Sequence, residues 1–187
     1  SFHKTGERMG VVVKRFLVLT LLVLLTATSA DAASRGLSVQ LRASEAKNAP
    51  VAREVNLYGQ SHALVIGIDA YTNGWPRLSN AVKDAKLVAA ALRKKGFGVT
   101  LKTNLTSTQL KKAFEEFFVF KGQNKEARLF VWYAGHGHTL GGEGYLVPSD
   151  APRSDSDEAR FKFSALNMRR FGEFVRQANS KHVFNVF

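Results

Sequence analysis

The sequence predicts an α/β protein, a three-layer α/β/α sandwich around a mostly parallel sheet. Three observations carry this reading. Short apolar runs recur at residues 62–68, 98–102, 128–133 and 181–187. Stretches with apolar residues at helical spacing separate them. Capping residues and glycines mark most of the boundaries. Strands that alternate with helices need right-handed crossovers, and these cover both faces of a parallel sheet. The 187 residues suit one such domain behind a leader.

Residues 1–8 precede Met9 and carry no pattern. From Met9 the chain has the form of a secretory signal. Lys14 and Arg15 make a basic start, residues 16–25 an apolar centre, and Ala30-Asp31-Ala32 an A-x-A cleavage pattern. Residues 9–32 are therefore expected to direct export, with Ala33 as the mature N-terminus. The apolar run is shorter than the roughly 20 residues that span a bilayer, so no stable membrane anchor is expected after cleavage. Residues 33–60 are polar, aperiodic and contain Pro50. They are expected to be a linker, with one weak strand at residues 51–57.

The folded domain is expected over residues 61–187. Its first strand, His62-Ala-Leu-Val-Ile-Gly-Ile68, is apolar without alternation, as a strand buried on both faces should be. A loop at 69–76 follows. Leu78, Ala81, Ala85, Val88, Ala89 and Leu92 then recur at helical spacing, between Ser79 or Asn80 as N-cap and Gly96 as the stop. Residues 98–102 give the second strand. The next helix starts with a capping box, Thr106 and Gln109, flanked by Leu105 and Leu110 at the staple positions. Leu110, Ala113, Phe114, Phe117 and Phe118 form its stripe, and Gly122 ends it. The third strand, at 128–133, leads into a glycine-rich hairpin around Gly141-Gly142. Residues 151–163 are expected to be a charged loop, 164–180 a helix and 181–187 a fourth strand.

The chemistry concentrates where the third strand stops, at Ala134-Gly135-His136-Gly137-His138. Side chains at a strand exit point into the crevice beyond the sheet. A histidine there can carry protons near neutral pH, and the N–H of Gly137 can serve an oxyanion. The bland alternative for His136 is a turn histidine satisfied by hydrogen bonds. His136 and His138 alone are too few to hold a metal, and no third ligand stands at a motif-like spacing. The glycine-rich turn opens into Tyr145-Leu-Val-Pro148 instead of a helix, which argues against phosphate binding. No cofactor is expected.

The net charge is +12. Its clusters, such as Arg93-Lys94-Lys95, fall on helices and suit helix C-termini, and no nucleic-acid-binding module is recognisable. The chain holds no cysteine, which excludes disulfides and thiolate metal sites within it.

Five segments occur in the order seen in caspase-like cysteine peptidases. They are His62-Ala-Leu-Val-Ile-Gly-Ile-Asp-Ala-Tyr71, Leu78-Ser-Asn-Ala-Val-Lys-Asp-Ala85, Leu92-Arg-Lys-Lys-Gly-Phe97, Phe130-Val-Trp-Tyr-Ala-Gly-His-Gly137 and Gly144-Tyr-Leu-Val-Pro-Ser-Asp-Ala151. The chain resembles bacterial caspase-like and metacaspase-type proteins over residues 61–187, the large-subunit portion of that fold. The resemblance implies peptide-bond hydrolysis by a Cys–His dyad on peptide or protein substrates. It makes His136 the catalytic histidine and Gly137 the oxyanion N–H donor. It places Asp84 in the pocket for a basic P1 side chain, beside its ordinary reading as a first-turn acid favoured by the helix dipole. Arg77 is a weaker candidate, for an acidic P1 residue.

The family's nucleophile is a cysteine just past the fourth strand, and none is present. The 187 residues are therefore expected to be inactive alone, as the N-terminal portion of a caspase-like domain. A non-catalytic module that binds peptides in the same cleft is the alternative. A hydrolase using serine, or a metal at His136 and His138, is a third.

Overall fold

The computed structural model describes residues 35–187; the expected signal segment, residues 9–32, lies outside them. The first described element departs from expectation. Residues 33–60 were expected to be a linker with one weak strand at 51–57; the unexpected β1 (Leu37–Arg42) pairs with that strand, β2 (Val51–Tyr58), as an antiparallel hairpin. Leu37, Val39 and Leu41 alternate with Ser38, Gln40 and Arg42, a period-two pattern. All three apolar residues stay exposed, so the pattern has no core to serve.

β3 (Gln60–Gly67) is the centre of the molecule. Its residues point alternately to two apolar clusters. Ala63 and Val65 meet Ala85 and Ala89 of α1 (Ala81–Lys94) on one face. Leu64 and Ile66 join the larger cluster on the other face. β4 (Gly98–Thr103) follows α1 and pairs parallel to β3. α2 (Ser107–Glu116) begins with the expected capping box, in which the Thr106 N–H donates to Gln109 Oε1 at 3.0 Å. A π-helical turn, Phe117–Lys121, prolongs it to Gly122. Phe114 and Phe118, both fully buried, anchor this segment on the sheet.

β5 (Ala127–Ala134) pairs parallel to the other side of β3. β6 (Gly137–Leu140) and β7 (Glu143–Leu146) form the expected hairpin. Gly141 and Gly142 turn it with φ of 58° and 78°. Two positive-φ residues suit the tight turn that matches strand twist.

The segment from 151 to 180 corrects two expectations. The charged loop contains a helix, α3 (Glu158–Ser164), whose N-cap Asp157 accepts from the Arg160 N–H at 2.9 Å. The helix expected from 164 is shorter. Ala165 is extended, and β8 (Leu166–Asn167) pairs with β7 instead. Only then does α4 (Met168–Arg176) begin, capped by Asn167, with Phe171 and Phe174 buried. Burial of Ala165 and Leu166 beside the hairpin outweighs the helical preference of the local sequence. β9 (His182–Val186) then pairs parallel to β5.

The main sheet therefore runs β4-β3-β5-β9, all parallel, with α1 on one face and α2 and α4 on the other. This is the α/β/α sandwich expected from the sequence. The chain moves outward from β3 to β4, then returns past β3 to β5. Right-handed crossovers make the helices change faces when that direction reverses. The carboxyl ends of β3 and β5 therefore lie side by side at the switch point of the sheet, where open α/β sheets place their sites.

Candidate functional site

Two loops at this switch point build the candidate site. The one after β3 supplies Tyr71, Trp75 and Pro76, and the one after β5 supplies Gly135, His136 and Gly137. The first is strapped to the segment following β7. Thr72 N–H donates to Ser149 O at 3.0 Å, Asn73 Nδ2 to Asp150 O at 2.7 Å, and Trp75 Nε1 to Pro152 O at 3.1 Å. At its base Asn104, with φ of 52°, accepts on Oδ1 from the N–H groups of Asp69 and Ala70. Asn tolerates this left-handed conformation better than most residues.

His136 is half-buried and held at both ends. Its backbone N–H donates to Tyr71 Oη at 2.7 Å, and its carbonyl accepts from Val147 N–H at 3.0 Å. Its Nε2 lies 2.8 Å from Pro76 O. A carbonyl only accepts, so Nε2 carries a proton, and in the neutral form of the ring Nδ1 holds the lone pair. The imidazole packs against Tyr71, with ring centroids 4.6 Å apart, and against Trp75 at 5.2 Å. Whenever the ring is neutral, this contact leaves it a base of one defined tautomer.

Behind it, Tyr133 Oη donates to Val147 O at 2.9 Å and to His136 O at 3.1 Å. Burial raises both phenols, Tyr133 well above its ordinary 10.0, helped by the adjacent Tyr71. Burial also raises Tyr71, with a smaller push from Asp69, against lowering hydrogen bonds from His136 and Tyr133. The folded-state values lie above the unfolded ones. The stability they provide is complete below about pH 10 and is lost as pH climbs past it, where only the unfolded chain gives up these protons. Urea midpoints should therefore fall on the alkaline side, and fall less in a Tyr71→Phe, Tyr133→Phe double variant. Equal alkaline slopes in the two proteins would contradict this arrangement.

Of the residues singled out in the sequence, His136 and Gly137 stand together at the junction of β5 and β6. Gly137 is exposed and opens β6 opposite Leu146. Asp84 lies in the first turn of α1, exposed, with its N–H bonded to Asn80 O. α1 starts at the same sheet edge, but Asp84 makes no hydrogen bond or ion pair to His136. Arg77 is exposed beside Pro76. His138 Nε2 hydrogen-bonds Ser154 Oγ at 2.8 Å, and its ring meets Trp75 and Phe161 edge-on. Among the described residues no group of three or more His, Cys, Asp or Glu could hold a metal ion.

Trp75 and the Pro76 carbonyl were missed from the sequence. An aromatic residue within Asn73-Gly74-Trp75-Pro76 was a usable signal, since a turn has no core to bury it. A backbone carbonyl leaves no such trace.

The family model described as the caspase domain, Peptidase C14, matches residues 60–184. Among solved structures, the chain is similar to the crystal structure of a protein from Geobacter sulfurreducens, at 18% identity and a TM-score of 0.50. The similarity covers 67% of this chain and 49% of that one, so the chain spans about half of that protein's length. At this identity the likeness concerns the fold alone. No curated protein matches.

Proposed function

The chain belongs to the caspase-domain family of peptidases, and from that premise we propose that it supplies the acid–base half of a metacaspase-type Cys–His peptidase site. The observation that carries this reading is the contact of His136 Nε2 with Pro76 O, 2.8 Å away. With Nε2–H committed to Pro76 O, Nδ1 is the nitrogen that takes a proton from a thiol and later returns it to the leaving amine. Thiolate attack on the peptide carbonyl forms a thioester and expels the amine; water then releases the acid. The Gly137 N–H holds the oxyanion. In support, a Cβ at Gly137 would meet nothing nearer than Tyr145 O at 3.8 Å, so packing does not demand glycine there. Asp84 receives a basic P1 side chain through a charge-assisted contact.

The nucleophile is not among the 187 residues, which hold no cysteine. β9 runs parallel to β5, and its last pair is Trp132↔Val186, so its carboxyl end reaches the edge that carries His136. A cysteine borne just beyond β9 would stand beside the imidazole. The missing thiol equally favours a second reading, a non-catalytic module that binds peptides at this site.

A reporter-peptide assay separates the two. The 187-residue chain should release no fluorophore from Arg or Lys peptides. The product of the coding sequence continued past Phe187 should do so if that sequence brings a cysteine. Such turnover should be blocked by a thiol alkylator and fall about 10³-fold in His136→Ala, the scale of acid–base catalysis. Thiol-dependent turnover that survives His136→Ala would overturn the assignment. A continued sequence without cysteine, combined with micromolar binding of the same peptides, would establish the binding module.

A further inference from the structure

His138 and Trp75 have no part in that chemistry, yet they form one continuous stack with His136. Trp75 faces His136 at 5.2 Å in a tilted arrangement and His138 edge-on at 5.5 Å. His138 meets Phe161 edge-on at 5.1 Å, and Phe161 returns to Trp75 at 6.2 Å. Phe161 is fully buried, so the far end of the stack is anchored in the core. Ser154 Oγ fixes His138, Pro152 O fixes the indole N–H, and the Arg153 guanidinium lies 5.7 Å over the indole ring.

From this we infer that Trp75 is a positioning residue for His136, with His138 as its buttress, so that the ladder Phe161–His138–Trp75 sets the plane and hydrogen bond of the acid–base imidazole. The inference rests on the role proposed for His136.

The physical need is clear. Histidine χ2 is a broad, roughly two-fold torsion, so a ring held only by its backbone samples flipped orientations. A flip exchanges Nδ1 with carbon and breaks the bond to Pro76 O. Aromatic contacts at these distances each contribute beyond simple burial. Trp75 acts twice, because it packs on the ring and also precedes the residue whose carbonyl accepts the Nε2 proton. Displacing the indole therefore moves the acceptor together with the wall. Tyr71 covers His136 as well, but its hydroxyl is committed to the His136 backbone N–H and to Val147 O. It locates the backbone and walls one side of the ring at 4.6 Å, and Trp75 supplies the other ring contact that resists rotation.

The test reads the imidazole proton and not turnover, so failure of the peptidase reading and failure of the ladder remain distinct. In the full 187-residue chain labelled with ¹⁵N-histidine, the His136 Nε2 proton should exchange slowly with solvent. Trp75→Leu should accelerate that exchange about ten-fold, the equivalent of losing one hydrogen bond. Exchange at the β3 and β5 amides should stay as in the parent. Trp75→Phe should restore most of the protection, which a loss of general packing would not predict. His138→Ala should give an intermediate acceleration, and it carries the test if Trp75→Leu does not fold. An unchanged Nε2 exchange rate in folded Trp75→Leu, or in His138→Ala when that variant must stand in, would overturn the inference. Equal acceleration at the strand amides would also overturn it, because the effect would then be global loosening.

Discussion

Gly135→Ala is expected to cost about 3 kcal/mol and to disconnect His136 from its supports, the upper range for overpacking a filled site. A Cβ at Gly135 would lie 2.6 Å from Tyr133 Oη and 2.7 Å from Tyr71 Oη. Neither hydroxyl can swing aside. Tyr133 Oη donates to the carbonyls of Val147 and His136, and Tyr71 Oη accepts the His136 N–H. Moving Tyr71 leaves the His136 N–H without its partner, a further penalty of about 1–3 kcal/mol if unrelieved, and moving Tyr133 breaks two hydrogen bonds at once. The backbone at 135 is the softer element, so the loop should shift and carry His136 out of register with Pro76 O. Urea denaturation should show a lower midpoint with an unchanged slope, and the His136 amide should lose its exchange protection. Gly137→Ala is the matched control, since its Cβ meets nothing closer than 3.8 Å. Its stability should change by no more than about 0.5 kcal/mol. Similar midpoints for the two variants would contradict the packing described around Gly135.

Phe114→Ala is expected to lower stability by about 3–5 kcal/mol, as for other fully buried phenylalanines. The ring is completely inaccessible and meets Phe171 edge-on at 5.2 Å. It joins α2 to α4 over the larger of the two sheet faces. Those neighbours are large, rigid rings on separate elements, so the cavity cannot close without moving a helix. Domains of this kind have total stabilities of only about 5–15 kcal/mol, so the variant should melt far below the parent. Phe120→Ala should be near neutral, because Phe120 on the same segment is 71% exposed. A small loss at Phe114 would mean that α2 is not seated on the sheet as described.

The differing fates of these two phenylalanines show where the sequence was informative. Leu110, Ala113, Phe114, Phe117 and Phe118 fall on one helical stripe, and the structure buries all of them. Phe120 falls off the stripe and is exposed. The capping box of Thr106 and Gln109 and the Gly141-Gly142 turn were equally legible, because each involves contacts only a few residues apart. β1 was missed because its apolar residues alternate without a buried face, although its partner β2 was expected at 51–57. α3 was missed because the charges around Asp157 resemble a loop unless the cap is recognised. α4 was overextended because residues 164–167 have no local reason to leave the helix; their reason is β7, distant in sequence.

The candidate site divides in the same way. His136 stood out because a buried strand ends in Gly-His-Gly, and the position of Asp84 was readable within a helical turn. The partners of the imidazole were not. Pro76 O and Trp75 come from a loop 60 residues away, and the two loops meet only because the chain reverses direction after β4 and lays β5 beside β3. By itself, then, the sequence determined the strands of the main sheet, the helical stripes and the histidine at the strand exit, since period and capping are short-range properties of neighbouring residues. Only the tertiary structure decided which nitrogen of His136 carries the proton and which rings hold it. Those follow from strand register and crossover, and both are set by contacts between residues far apart in the chain.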